Sequence, residues 1–126
     1  MKKYGQLTFI ILVIFTLTSC SSEAKVDVCE KPKDVTYSNK VASLIEEKCY
    51  SCHAPDVYKK KASRVKIFDY KSLKKQAEKG VLMGSVNHEK GYVAMPYKKG
   101  VKIDTCSRLV LQTWIDQGMK EWIVFF

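Results

Sequence analysis

Acidic residues are scarce in this sequence, and those present are scattered. The 126 residues include 13 aspartates and glutamates against 22 lysines and arginines, which gives a net charge of +9. Catalysis by general acids and bases requires titratable groups that act together. Asp56, Asp69 and Asp104 instead stand far apart, as is typical of helix caps and surface positions. We therefore predict that the chain is not an enzyme.

Close pairs of metal-binding residues are also rare. One C-x-x-C pair is present, at positions 49 and 52, but a structural zinc site requires a second close pair. The other candidates stand alone, at Cys29, His88 and Cys106. A dithiol redox pair usually belongs to a βαβ unit, and the sequence shows no such pattern. Both absences disfavour zinc binding and thiol–disulfide exchange at this pair.

Residues 49–53 read C-Y-S-C-H, which is the attachment signature of a c-type haem. Two residues between Cys49 and Cys52 let both sulfurs reach one porphyrin edge and add to its two vinyl groups. His53 follows at once and is placed to ligate the iron. The signature occurs once, so we predict one covalently bound haem c. Its redox potential then depends on the second axial ligand and on the surrounding pocket.

Residues 1–19 have the pattern of a bacterial signal peptide. Lys2 and Lys3 precede an apolar run over residues 7–17, which is too short for a comfortable membrane span. The run ends in Leu-Thr-Ser-Cys, which resembles the bacterial lipobox. That resemblance implies cleavage before Cys20 and lipid on its sulfur, so that acyl chains hold an exported, periplasmic protein on the inner or outer membrane. Ordinary cleavage nearby, leaving Cys20 as a free thiol, is the alternative.

Helical periodicity predicts three main helices in the rest of the chain. The first covers residues 39–49 and runs into Cys49, the second covers 71–79, and the third covers 105–117. Residues 54–68 and 81–103 contain prolines, glycines and basic stretches and are predicted to be mostly loop. The predicted caps and stops of these helices are Ser38, Asp69 or Tyr70, Gly80, Asp104 and Gly118.

This order of helix, C-x-x-C-H, loop, helix, long loop and helix resembles the small class I cytochrome c domain, over roughly residues 35–120. The resemblance implies an all-α, cytochrome c-like fold, in which three main helices surround one haem and the first and last helices cross. Residues 20–36 lack helical periodicity and are predicted to be a linker from the lipidated cysteine. Residues 37–126 would then form the cytochrome c domain.

The resemblance also implies a methionine as sixth iron ligand, on the loop before the last helix. Met95 lies there, and Pro96 restricts it to extended backbone geometry. Met83 directly follows the second helix and lacks a proline. His88 is the alternative ligand, and bis-histidine ligation would lower the potential. If Met95 is the ligand, His88 and Asn87 would shape the loop around it.

Two cysteines remain after lipid and haem attachment are assigned. In an oxidising compartment, Cys29 and Cys106 are predicted to form a disulfide, with two buried free thiols as the alternative. The apolar tail over residues 122–126 is too short to span a membrane, and we expect it to pack on the domain, because an exposed apolar end promotes aggregation.

The function predicted from these features is electron transfer by a membrane-tethered, His/Met-ligated cytochrome. A haem-based sensor or a small haem peroxidase, with an open or displaceable sixth position, is the alternative. Lysine clusters predict docking to an acidic redox partner with salt-sensitive rates, and their alternative role is only to keep the surface solvated. The chain is predicted to be a monomer. Export argues against nucleic acid. The clusters lie at residues 59–61, 71–75 and 98–99.

Overall fold

A computed structural model describes residues 28–122, and this part of the chain is helical with no strand. The predicted all-α class is confirmed for these residues, none of whose helices is long and apolar enough to cross a membrane. The predicted signal peptide, the lipidation site Cys20 and residues 123–126 lie outside the described residues. The helices are α1 (Ala42–His53), α2 (Tyr58–Lys61), α3 (Tyr70–Glu78), α4 (Val81–Val86) and α5 (Thr105–Asp116).

The first helix begins earlier and ends later than predicted. A π-helical turn, Tyr37–Val41, runs directly into α1. Thr36, and not Ser38, is the N-cap: its hydroxyl accepts from the backbone N–H of Asn39, and the Asn39 side chain accepts from the Thr36 N–H at 2.8 Å. This reciprocal capping box satisfies two free donors. At the other end, α1 continues through His53, so that the whole haem motif is helical.

The caps predicted for the second and third helices are confirmed. Asp69 caps α3 by accepting from Ser72 N at 2.9 Å, and Asp104 caps α5 by accepting from Ser107 N at 2.8 Å. Gly80 and Gly118 follow these helices with φ of +72° and +85°, a left-handed conformation that glycine adopts without steric cost. Short polar caps and terminal glycines are local signals, which explains why they could be read from the sequence.

Two short helices lie in segments that were predicted to be loop. One is α2, which is a single turn without a side-chain cap, attached to α1 by a hydrogen bond from Lys61 Nζ to the Ser51 carbonyl at 3.2 Å. The other is α4, which begins directly after Gly80 and buries Leu82 and Val86. Both are too short to show a helical period, and tertiary packing stabilises such turns where propensity alone does not.

The core joins side chains from every helix except α2. The helical period of residues 105–117 predicts an apolar stripe of Cys106, Leu109, Val110, Thr113 and Trp114 on α5. The structure buries Thr113 and Trp114 together with Ser107 and Leu111, whereas Leu109 and Val110 are half-buried and Cys106 is exposed. Ser107 can be buried because the Asp104 carboxylate accepts hydrogen bonds from both its N–H and its hydroxyl. The apolar core consists of Val35, Val41, Leu44, Ile45, Ile67, Leu73, Ala77, Leu82, Val86, Leu111 and Trp114.

The start of the described chain and the start of α5 meet at Cys29 and Cys106. These two cysteines lie at disulfide distance, with their Cα atoms 5.3 Å apart. The pair spans 77 positions and so ties the lead-in segment to the helix that follows the Met95 loop. At the far end, Trp122 is 63% exposed, so the expected packing of the apolar tail is wrong for this residue.

Candidate haem site

The last turn of α1 carries three chemically active side chains. Cys49 and Cys52 stand three positions apart and Cys49 and His53 four apart, which places them on neighbouring positions of one helical face. Both cysteines are free and half-buried, and the His53 ring is buried. The helix therefore brings the predicted thioether cysteines and the predicted axial histidine together through local backbone geometry alone.

The orientation of His53 is fixed by one backbone group. Its Nδ1 lies 3.0 Å from the carbonyl oxygen of Val65. Because a carbonyl only accepts, Nδ1 must carry the proton, and the neutral ring then has its lone pair on Nε2. Metal-binding histidines characteristically donate their second ring N–H in this manner, which sets the tautomer and the ring orientation.

Cys49 is a poor candidate for thiol redox chemistry. Burial raises the pKa of its thiol to about 11, so the group is protonated at neutral pH. It packs against the hydrophobic core. Reactive cysteines have lowered pKa values, because the thiolate is the nucleophile. This environment disfavours a reactive dithiol at Cys49 and Cys52.

Met95 lies on the loop between α4 and α5 and is held through its backbone. Its N–H donates to the Ser85 carbonyl at 3.0 Å, and its own carbonyl lies 2.9 Å from Nε2 of His88. Since the carbonyl accepts, Nε2 of His88 carries the proton in this bond. His88 also has a left-handed backbone, with φ of +56°. The two bonds attach the loop to the C-terminal end of α4.

Tyr92 packs the same loop onto α4. A Cβ atom added at Gly84 would overlap the Tyr92 ring, on its Cγ, Cδ2 and Cε2 atoms. The ring can therefore lie against the helix only because residue 84 has no side chain. Gly84 is the close-approach glycine of this site, and it sets the distance between the Met95 loop and α4.

Arg108 connects this region to α5. Its Nη1 donates to Oδ1 of Asn87 at 3.2 Å, and its Nε donates to the Ile103 carbonyl at 3.2 Å. Asn87 is the C-cap of α4 and directly precedes His88. The Met95 loop is thus attached to α4 near its start and to α5 near its end.

Large exposed hydrophobic residues are frequent on the Met95 loop. Four of the seven in the described part of the chain lie on this loop, and a fifth is Val65, whose carbonyl accepts from His53. Four exposed apolar side chains on one loop make that loop a candidate contact surface. The four loop residues are Tyr92, Val93, Tyr97 and Val101.

The structure thus brings the residues of the motif together, and it gives Met95 and His88 a direct contact. Within residues 28–122 there is no group of three or more histidine, cysteine, aspartate or glutamate side chains that could hold a metal ion. Sequence reasoning missed the Val65 and Ser85 carbonyls, because a backbone acceptor has no signal in the residue type. It also missed Gly84, although a glycine inside an apolar run can indicate close backbone approach.

Comparison with family models, with curated proteins and with solved structures gave no match for this chain.

Proposed function

We propose that this protein is a one-electron carrier with a single covalently bound haem c. Cys49 and Cys52 would form the thioethers, and Nε2 of His53 would ligate the iron. When bound, the haem supplies an iron that accepts and returns one electron. The observation that carries the proposal is the hydrogen bond from His53 Nδ1 to Val65, which leaves Nε2 with the lone pair that a metal requires.

Met95 is the favoured sixth ligand, and His88 supports it. In the described geometry the Nε2 proton of His88 is directed to the Met95 carbonyl, so this nitrogen is committed to a hydrogen bond. The two bonds at Met95 hold its backbone N–H and carbonyl and do not involve its thioether sulfur. A fixed ligand set suits electron transfer, because little has to move when the oxidation state changes.

A displaceable sixth position is the second candidate, and it would suit a haem-based sensor. One observation favours it: Met95 lies on a helix-free stretch between α4 and α5, with exposed residues on both sides. Such segments open at lower free energy than core helices. An external ligand could then replace Met95 without unfolding the domain.

Export and membrane attachment belong to the same proposal. Lipid on Cys20 would tether the protein in the periplasm, on either bacterial membrane, where a carrier meets its redox partners. The pairing of Cys29 with Cys106 supports an oxidising compartment. We also propose that the partner is an acidic redox protein, because the chain is strongly basic.

The test is the optical spectrum of the full chain, matured in a host that exports it and attaches haem, in both redox states. We expect a weak ferric band near the red end of the spectrum that disappears in Met95→Ala and persists in Met83→Ala, the matched methionine control. A low-spin wild type that lacks this band, and whose spectrum is unchanged in Met95→Ala, would point to His88. A high-spin wild type would favour the sensor, and absence of attached haem would refute the proposal.

A further inference from the structure

The positive charge of this protein is concentrated in one segment. Residues 59–79 contain nine lysines and arginines and two acidic residues, a net charge of +7 out of +9 for the entire chain. The other 105 residues together carry only +2. This segment covers α2, α3 and the loop between them. A general need for solubility would spread charge over the surface, so the segregation calls for a local explanation.

The segment forms a hollow of about 340 Å³ with a basic rim. Lys75 on α3 and Lys79, the C-cap of that helix, lie four positions apart, on the side opposite to the buried Leu73 and Ala77. Arg64 and Lys66 form the other wall, from the loop before α3.

Most of the basic side chains on the rim of this hollow have no acidic partner among the described residues. Lys66 pairs with Asp69 at 2.9 Å, but no ion pair involves Arg64, Lys75 or Lys79 among residues 28–122. All of these basic side chains are exposed. They therefore present a concave, positively charged surface that can accept carboxylates.

This hollow lies directly behind the predicted axial histidine. Val65 is part of its wall, and the Val65 carbonyl is the group that accepts the hydrogen bond from His53. The Val65 side chain is itself 38% exposed. A protein seated in the hollow would contact the residue that orients His53.

We propose that the hollow formed by Arg64, Val65, Lys66, Lys75 and Lys79 is the docking site of an acidic redox protein, which inserts a projecting acidic segment and contacts the backbone behind His53. The redox role of the partner rests on the proposed electron-carrier function. The concave shape favours a projecting protein segment over a flat lipid surface. Charge complementarity would raise the association rate, and salt would screen it.

The first experiment compares two charge-reversal variants of the full, haem-loaded chain. Lys75→Glu/Lys79→Glu alters the hollow, and Lys31→Glu/Lys33→Glu makes the same change in net charge at a different surface hollow. The probe is hexacyanoferrate(III), an anion that takes one electron from the reduced protein and becomes hexacyanoferrate(II). At low salt we expect the hollow variant to react about tenfold more slowly than wild type and the control less than about twofold more slowly. Equal slowing in both variants would mean that net charge alone matters and would overturn the proposal.

The second experiment does not depend on redox activity. A polyglutamate peptide is titrated into isotopically labelled protein, and amide shifts are followed by NMR. We expect shifts confined to the segment 59–79, lost in Lys75→Glu/Lys79→Glu and retained in the control. Shifts spread evenly over the surface would contradict the docking site, as would binding to phosphatidylglycerol vesicles without binding to the peptide. If no haem is attached, the electron-carrier function fails, while the peptide titration still decides whether the surface binds acidic protein segments.

Discussion

His53 is positioned by a helix, whereas Met95 is positioned by hydrogen bonds between a loop and a neighbouring helix. The histidine needs one long-range contact, from Nδ1 to the Val65 carbonyl. The methionine depends on the Ser85 carbonyl, on His88 and on the packing of Tyr92. The first arrangement follows mainly from local backbone geometry, and the second exists only once α4 has folded.

This difference indicates that the two proposed ligands should respond differently to mutation. Local geometry survives most changes elsewhere, so His53 should stay in place as long as α1 folds and the Val65 carbonyl keeps its position. The position of Met95 should instead depend on several weak contacts, each of which contributes about 1 kcal/mol. The contrast can be tested by substitutions at the His53 site and at the Met95 loop. Their expected effects range from complete loss of attached haem to a few tenths of a kcal/mol in the free energy of unfolding.

The largest effect is expected from removing the ligands themselves. His53→Ala should abolish accumulation of haem-loaded protein, because the ring is buried in the motif and is the proposed first iron ligand. Met95→Ala should still yield covalently attached haem, with an open sixth position. The measurement is haem-stained gel electrophoresis of both variants beside wild type. Equal haem loading in the two variants would contradict the proposed difference between His53 and Met95.

A smaller effect is expected from Gly84→Ala, which forces Tyr92 away from α4. Overpacking typically costs about 1–3 kcal/mol, and the gain in helix propensity from alanine returns about 1 kcal/mol. We therefore expect a net loss of up to about 2 kcal/mol in the free energy of unfolding, measured in urea. Imidazole should also bind the ferric protein more readily.

The matched control is the same change in a Tyr92→Ala background. There the added methyl group meets no ring, so Gly84→Ala should become neutral or stabilising. A loss of stability that persists without Tyr92 would show that the close approach of this ring is not the cause.

His88 offers a way to separate backbone strain from the hydrogen bond to Met95. His88→Ala removes the bond and retains a side chain at a left-handed position. His88→Gly removes the bond but relieves the backbone, which is worth about 1 kcal/mol. The free energy of unfolding should therefore fall by about 1 kcal/mol in the alanine variant and stay nearly unchanged in the glycine variant.

The ease with which imidazole displaces Met95 should depend on the hydrogen bond between His88 and Met95, and not on backbone strain at residue 88. We expect imidazole to replace Met95 about fivefold more readily in both His88 variants, since one net hydrogen bond is worth about 1 kcal/mol. Asp34→Gly, at an exposed left-handed position far along the chain, controls for the backbone effect and should leave imidazole binding unchanged. Displacement that follows overall stability would contradict a specific role for His88.

The smallest effect concerns Asp104, which caps α5 and pairs with Lys48 of α1. Hydrogen bonds from the backbone N–H and hydroxyl of Ser107, together with Lys48 at 3.4 Å, hold the pKa of this carboxyl below its ordinary value. A lowered pKa contributes stability above the unfolded pKa of about 3.9, and that stability is lost as the pH falls through the folded value. Lys48 directly precedes Cys49, so this pair connects α1 to the cap of α5.

Asp104→Asn keeps a good N-cap but removes the charge. Because the carboxylate is partly exposed, we expect wild type to exceed the variant by only a few tenths of a kcal/mol at pH 6. The difference should close below about pH 4, as followed by urea unfolding. Asp116→Asn, at the other end of α5, is the control and should show no such closing. A stability difference between wild type and Asp104→Asn that widened in acid would contradict the lowered pKa of Asp104.

What could be predicted from the sequence follows the same division. Asp69, Gly80, Asp104 and Gly118 act within one helical turn. The sequence predicts the last three at their actual positions, and it predicts Asp69 with Tyr70 as the alternative. The boundaries of α1 were less accurate, because Ser38 and Thr36 are both good caps and only the interlocking bonds with Asn39 decide between them.

The elements that were missed depend on contacts between distant segments. Nothing local distinguishes α4 from a loop, and its stability comes from burying Leu82 and Val86 in the core. Cys106 is likewise exposed and paired with a residue 77 positions away, Cys29, which the helical period alone does not show. Hydrophobic periodicity in the sequence predicts that a segment is helical. Which face of that helix is buried depends on the elements that pack against it.

The Cys29–Cys106 pair also has a consequence for the assembly of the chain. Cys49 and Cys52, the proposed haem attachment sites, lie within the loop that this disulfide would close. Four thiols can combine into two disulfides in three ways, and every one of them consumes Cys49 and Cys52. The proposed haem attachment therefore requires that oxidation stop after one bond, and that this bond be the long-range one. Burial keeps the Cys49 thiol protonated, which slows its reaction in thiol–disulfide exchange. Folding would therefore favour the Cys29–Cys106 disulfide and leave Cys49 reduced.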